Sequence, residues 1–215
     1  MNDFKGIEKF VSEKSSKRVE AGSIPEDERM IYANEAIHSD SSLKDYERWM
    51  TINTDRFVGK KILDIGGMPN GKFARAAKTK GIDLVTLNPS ISEIAKERPI
   101  KGRNVIAGYV QNLPFQDETF DYEISYGAIP SHLAPVEKEY SDAFNEIFRT
   151  LKPGGQAYLV PVYGSVLKTE VFQKIKEGLL NRGAEIILDD VGFVLDENKA
   201  KVKVFKMTVK KKSRS

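Results

Sequence analysis

Apolar residues recur along this chain with two periods. From residue 59 onward, short apolar runs alternate with longer stretches whose apolar positions repeat every three to four residues. Residues 61–66, 83–88, 104–108, 120–126 and 156–162 read as strands. Residues 72–80, 91–98, 136–151 and 166–181 read as helices, the third with Ala143, Ile147, Phe148 and Leu151 at core spacing. Gly81 and Gly183 stop two of the helices, and Lys152-Pro153-Gly154-Gly155 breaks a third. Strands alternating with helices imply a parallel sheet with right-handed crossovers. The last two apolar runs, 184–188 and 202–209, flank a polar loop with no helix between them and read as an antiparallel pair. The expected fold is α/β: a doubly wound, seven-stranded, mostly parallel sheet with an antiparallel last strand.

Residues 1–58 have a different texture. They are polar, punctuated by Ser39-Asp40-Ser41-Ser42, and hold two helix-like stretches. Pro25-Glu26-Asp27-Glu28-Arg29 looks like a helix start leading into Met30, Ile31, Ala33 and Ile37, with proline in the first turn and acids at the positive end of the dipole. Residues from Ser42 through Trp49 and Met50 form the second. The segment has too few apolar residues for a core of its own, so 1–58 reads as a helical cap on a domain spanning 59–215.

Composition narrows the chemistry. With 215 residues, 40% of them hydrophobic, the chain can bury a sizeable core, and no run approaches the length of a membrane span. The N-terminal residues carry acids and no apolar region of the secretory type. The absence of cysteine excludes disulfides, thiolate zinc sites and a cysteine nucleophile, and suits a reducing cytoplasm. Only His38 and His132 supply imidazole, far apart in sequence, so no metal site is expected. A net charge of +3 is too small to argue for nucleic acid. The tail Lys210-Lys211-Lys212-Ser213-Arg214-Ser215 leaves RNA as an open alternative to an ordinary frayed terminus.

The first strand ends in Asp64-Ile65-Gly66-Gly67-Met68-Pro69-Asn70-Gly71 and reaches a helix within a few residues. Glycines at such a turn let backbone N–H groups approach a ligand, and the following helix N-terminus favours negative charge; alone, the pair is equally a tight turn. Three further segments follow in order: the strand ending at Asn88, Asn112-Leu113-Pro114-Phe115-Gln116-Asp117-Glu118-Thr119-Phe120-Asp121, and Arg149-Thr150-Leu151-Lys152-Pro153-Gly154-Gly155. With Ile62-Leu63-Asp64-Ile65-Gly66-Gly67, this set resembles the class I S-adenosylmethionine-dependent methyltransferase family, in its small-molecule, ubiquinone-biosynthesis-like branch. The resemblance spans about residues 60–162.

The resemblance implies a Rossmann-like fold with S-adenosylmethionine as cofactor, S-adenosylhomocysteine as product and a small-molecule acceptor. Asp64 would receive the methionine ammonium, and Gly66, Gly67, Asn70 and Gly71 would line its path. Asn88 would face the ribose hydroxyls. Tyr109, Val110, Gln111, Asn112 and Leu113 would wall the adenine. Ser125, Tyr126 and Gly127 would lie where methyl donor meets acceptor, at the carboxyl ends of the strands. Three features depart from the family pattern. Met68 and Asn70 fall where its second and third glycines stand, unless the loop is one residue longer. Asn88 replaces an acid, and Tyr109 an aspartate. Each lost charge-assisted bond would cost about 1.5–3 kcal/mol.

Methyl transfer from an activated sulfonium asks mainly for orientation and exclusion of water, with a general base only where the acceptor arrives protonated. His132, after the fourth strand, is the candidate base, the alternative being a surface or capping histidine. Tyr126 and Tyr163 are candidates for the acceptor wall or ordinary boundary residues. Ser125-Tyr126-Gly127-Ala128-Ile129-Pro130 lacks the Pro-Pro-aromatic motif of amino-methylating DNA enzymes. A non-catalytic methyltransferase-like binding module is the main competing reading, pointed to by Met68, Asn88 and Tyr109. A nicotinamide-dependent oxidoreductase has no use for the Leu-Pro-Phe or Lys-Pro-Gly-Gly segments.

Overall fold

In a computed structural model, the structure describes residues 30–31, 41–69, 71–91, 104–130, 133, 137–195 and 200–213. The elements in chain order are β1 (Met30–Ile31), α1 (Leu43–Met50), β2 (Lys61–Ile65), α2 (Lys72–Thr79), β3 (Asp83–Leu87), β4 (Val105–Ile106), β5 (Phe120–Tyr126), α3 (Glu137–Thr150), β6 (Leu151–Tyr163), α4 (Gly164–Leu167), α5 (Glu170–Asn181), β7 (Ala184–Leu195) and β8 (Lys201–Lys211). The strands form one sheet in the order β1-β7-β8-β6-β5-β2-β3-β4. Neighbours are parallel except β8, which runs antiparallel to both β6 and β7. This is the expected doubly wound sheet with its antiparallel last strand, joined at one edge by the two-residue β1.

Alternation along β5 sorts the layers. Tyr122 and Tyr126 point to the face that carries α1, where Phe57 and Tyr46 lie against them. Glu123 and Ser125 point to the α3 face, where Thr150 meets Glu123. One core runs through both faces and includes Tyr46, Met50 and Phe57 from the N-terminal segment. Helix α1 starts where Ser42 and Asp45 form a reciprocal capping box. The turn after it is tied to α2 by the Lys80–Asp55 ion pair (2.7 Å).

Several expectations change. Met30 and Ile31, placed in a helix from the sequence, pair in parallel with Phe193 and Val194, because the outer edge of β7 offers unpaired backbone groups; the rest of that stretch, His38 included, lies outside the described residues. Lys152-Pro153-Gly154-Gly155 ends α3 without leaving the sheet: β6 begins at Leu151, and the extra residues bulge between the Phe120↔Leu151 and Tyr122↔Gln156 pairs. Gly154 takes φ +81°, and a Cβ on Gly155 would sit 2.8 Å from the Lys152 carbonyl oxygen. The stretch 166–181 is two helices, because the Thr169 hydroxyl accepts from Phe172 N (3.2 Å) and starts α5 afresh. The strand expected over 184–188 continues through Leu195 as β7, and Asp189 and Asp190, exposed within it, pair with Lys206 (2.8 Å) and Lys203 (2.9 Å). The strand at 104–108 shortens to β4, and the helix expected over 92–98 lies outside the described residues.

Glu123 is fully buried on the α3 side of β5. Its Oε1 accepts from the Thr150 hydroxyl (2.5 Å), while Oε2 has no partner among the described residues. Burial pushes its carboxyl well above the usual range, so folding favours the neutral acid. Its contribution is therefore full at low pH and is lost as pH rises above the unfolded carboxyl value of 4.5. Denaturant titrations of wild type should show stability falling with pH there, by up to about 1.4 kcal/mol per pH unit for this group. Glu123→Gln should match wild type near pH 4 and exceed it at pH 8.

Candidate functional site

The carboxyl ends of β2, β3, β4 and β5 lie side by side on one edge of the sheet. Short chain crossings hold them there. Gly66 N donates to Leu87 O (2.7 Å), Asn88 N to Ile106 O (3.1 Å), and Gly127 N to Val160 O (2.8 Å). Parallel strands spread at a topological switch of this kind, and the crevice they leave is where such sheets bind ligands.

Asp64, one residue from the end of β2, is 2% exposed on the α1 face. Its only hydrogen-bond donor among the described residues is the Tyr46 hydroxyl, 3.1 Å from Oδ1 and 3.3 Å from Oδ2. Burial pushes its carboxyl up to about 7, against the smaller opposing pull of that bond. A buried carboxylate with no cation beside it is a receptor for a cationic group. Gly67 lies directly over it, so a Cβ there would collide with the carboxylate. Gly66 has φ +80°, and a Cβ on it would collide with Ala128. Gly66 is thus required by conformation as well as by space, and Gly67 by space alone. Gly71 precedes α2 as its N-cap, with its N–H on Met68 O (2.9 Å); Met68 is half-buried, and Asn70 lies outside the described residues.

Tyr46 comes from α1 and was not picked out from the sequence. Its ring stacks on Phe73 in the first turn of α2 (centroids 3.9 Å apart) and tilts against Tyr126 (5.2 Å). It therefore covers Asp64 between the ends of β2 and β5. Tyr126 is buried at the end of β5, next to this cluster. Gly127 follows with φ +80°. The Ser125 side chain is not at the crevice: it is fully buried on the opposite face, where its Oγ accepts from Ile129 N (2.9 Å). Strand alternation decides this, since neighbours in a strand cannot face the same layer. Tyr163, at the end of β6, is buried, and burial pushes its hydroxyl up to about 12. His132 lies outside the described residues.

Asn88 closes β3. Its Nδ2 donates to Gly67 O (3.0 Å) and Gly66 O (3.4 Å), and its Oδ1 accepts from Ser90 N (2.9 Å). Beyond β4, Val110–Asn112 form a 3-10 turn opened by Tyr109. Val110 and Leu113 are buried, while the Tyr109 ring is 67% exposed above the crevice edge. Helix α3 holds this wall. Gln111 Nε2 donates to Glu139 (3.3 Å), and Leu113 N to Glu146 Oε2 (2.8 Å). Arg149 donates to the carbonyls of Leu113 (3.1 Å) and Phe115 (2.8 Å), to Asp117 (2.8 Å) and to Glu146 (2.7 Å). The segments 112–121 and 149–155 are thus one physical unit, clamped by a guanidinium whose fork fits several acceptors at once.

Among the described residues no cluster of acids, cysteines or histidines could hold a metal, and no helix is long and apolar enough to cross a membrane. Lys211 from the basic tail is not presented outward: its ammonium caps α3 through the carbonyls of Phe148 (3.2 Å) and Leu151 (2.8 Å). Lys210 reaches Glu185 (3.4 Å), and Arg214 and Ser215 lie outside the described residues.

Residues 63–159 match the family model described as a methyltransferase domain. Over that stretch, a little under half of the chain, it is similar to methyltransferase domains of the S-adenosylmethionine-dependent type. Over 79% of the chain it is 27% identical to a fatty-acid O-methyltransferase of Mycolicibacterium smegmatis, covering 62% of that protein. Over 54% it is 34% identical to a ubiquinone/menaquinone biosynthesis C-methyltransferase of Ruegeria sp., covering 47% of it. The chain therefore spans less than two thirds of the length of either relative. In fold, the domain matches the crystal structure of a SAM-dependent methyltransferase of Methanosarcina mazei with a TM-score of 0.52, at 19% identity over 72% of this chain and 93% of that one.

Arg149 bears the largest load on the crevice wall. Arg149→Ala leaves the carbonyls of Leu113 and Phe115 and the acids Glu146 and Asp117 without their shared donor. Loss of about 3 kcal/mol of stability is expected, with Arg149→Lys recovering only part of it because an ammonium cannot reach all four acceptors. Urea denaturation of the three proteins checks this.

Proposed function

We propose that this chain is a cytoplasmic S-adenosylmethionine-dependent methyltransferase acting on a small-molecule acceptor. The observation that carries the reading is the buried Asp64 carboxylate, without a cationic partner among the described residues, under a turn where only glycine fits at positions 66 and 67. These residues suit the cofactor: a carboxylate for the ammonium, bare backbone beside the chain that joins ammonium to sulfonium, and an exposed ring at Tyr109 for the adenine face. When bound, the cofactor supplies an electrophilic methyl group on a sulfonium, already activated for in-line displacement.

The chain's own residues would then orient and exclude water. Asp64 fixes one end of the cofactor. The wall of residues 109–113, clamped by Arg149, fixes the other end. Tyr46 and the N-terminal segment 1–58 act as a lid, since the Tyr46 ring already lies over Asp64 between Phe73 and Tyr126. Tyr126 lines the acceptor side, and His132 is the candidate for removing an acceptor proton. The relatives named for fatty-acid and quinone chemistry favour an apolar, hydroxyl-bearing or ring-carbon acceptor of modest size, and the ubiquinone-like branch is one instance of that class. The cysteine-free composition suits the cytoplasm. RNA is the weaker choice of acceptor, because Lys211 is spent on the end of α3.

A second reading, a methyltransferase-like module that binds without catalysis, is favoured by the Asn88 amide. That amide is already bonded to Gly66, Gly67 and Ser90 where the family offers an acid.

Calorimetric titration with S-adenosylhomocysteine separates the two. Asp64 must be ionised to receive an ammonium, and its carboxyl titrates at about 7. Affinity should therefore rise about tenfold between pH 6 and pH 7.5 in wild type. In Asp64→Asn it should fall by about ten- to a hundredfold and lose that pH dependence. Absence of binding at millimolar ligand sinks the methyltransferase reading. Binding without methyl transfer to any lipid, quinone or RNA acceptor supports the binding module.

A further inference from the structure

We propose that Asn88 is a positioning residue: its amide holds the Gly66–Gly67 backbone in place, a task a carboxylate there cannot perform. The inference rests on the reading that this crevice receives S-adenosylmethionine, and its role in the ligand-free protein can be measured separately.

Three hydrogen bonds decide the orientation of the amide. The backbone N–H of Ser90 can only donate, so the side-chain atom facing it at 2.9 Å must be Oδ1. That leaves Nδ2 toward the carbonyls of Gly67 and Gly66, which can only accept. The residue is fixed from behind as well, because its own N–H is bound to Ile106 O (3.1 Å). An aspartate in this frame would keep the Ser90 contact and set its second oxygen against two carbonyl oxygens. An attraction would become a repulsion, with no donor to replace it.

The glycines have few other anchors. They carry no side chains, Gly66 sits at φ +80°, and neither tolerates a Cβ against Ala128 or Asp64. Their backbone is held by Gly66 N on Leu87 O, by Gly71 N on Met68 O further along, and by the Asn88 amide. Asn88 is therefore the only side chain among the described residues that hydrogen-bonds the Gly66 and Gly67 carbonyls. The exchange of acid for amide gives up a two-oxygen contact to the ribose and gains an ordered turn over Asp64. It follows that restoring the residue usual in the family makes this crevice worse.

The test compares wild type, Asn88→Asp and Asn88→Ala. In the ligand-free proteins, hydrogen exchange is followed by NMR at the Gly66 and Gly71 amides, with the Ile124 amide at the centre of β5 as reference. Both variants should exchange at least about tenfold faster at the two glycines, with Ile124 unchanged. Titration with S-adenosylhomocysteine should give at least about tenfold weaker binding in Asn88→Asp. The penalty for a 2′-deoxy analogue should be the same in wild type and variant, because Asn88 acts through the turn and not on the sugar. Tighter binding by Asn88→Asp, unchanged exchange at the glycines, or equal acceleration at all three amides would each overturn the proposal. If wild type binds no S-adenosylhomocysteine, the cofactor reading fails, and the exchange measurement alone decides the role of Asn88.

Discussion

The close approach of the Gly67 backbone to the Asp64 carboxylate is the constraint on which the carboxyl edge of the sheet depends. A carboxylate buried to this degree is costly unless it is neutral or paired. Here the environment raises its proton affinity and supplies a single phenolic hydroxyl, from Tyr46. Every neighbour is arranged around that group. Gly67 must lack a side chain to pass over it, Gly66 must take positive φ to turn away from Ala128, and Tyr46 must stack on Phe73 to reach it.

The other face of the sheet stabilises what this edge presents. Arg149 gathers the Leu113 and Phe115 carbonyls, Asp117 and Glu146 into one network, which fixes the 3-10 turn that forms one wall of the crevice. Lys211 from β8 caps the same helix end. Glu123 sits under this network with one oxygen unpartnered among the described residues. Buried polar groups of this kind specify one arrangement of α3 on the sheet, because any slip would strand a charge. The wall of the crevice is thus held mainly by the helix behind it.

The positions that depart from the family pattern divide on structural grounds. Asn88 has a donor role that an acid could not fill. Tyr109 is exposed and free of packing constraint, so a ring is available where the family offers an aspartate. Met68 is half-buried, and nothing in the structure explains it. Ser125 illustrates a different kind of difference. Its place near the end of the strand 120–126 suggested the crevice, but it follows Glu123, which faces α3, by an even step and so faces α3 too.

Strands β2, β3 and β5 were readable to within a residue, because each is a short apolar run closed by glycine, asparagine or a polar turn, and these signals are local. The antiparallel final pair was readable because no helix fits between its strands. The glycine turn and Asp64 stood out for the same reason. Tyr46 did not, since a tyrosine on an amphipathic helix reads as core and its partner lies 18 residues away. Nor did the β6 bulge, where Pro153 and two glycines read as a stop rather than an irregular strand. The sequence by itself determined periodicity, turns and the order of layers, which depend on neighbours along the chain. The tertiary structure alone decided which polar groups meet: Tyr46 with Asp64, Asn88 with Gly67, Arg149 with Leu113. Those pairings depend on parallel register and helix docking between distant segments, and no local pattern encodes them.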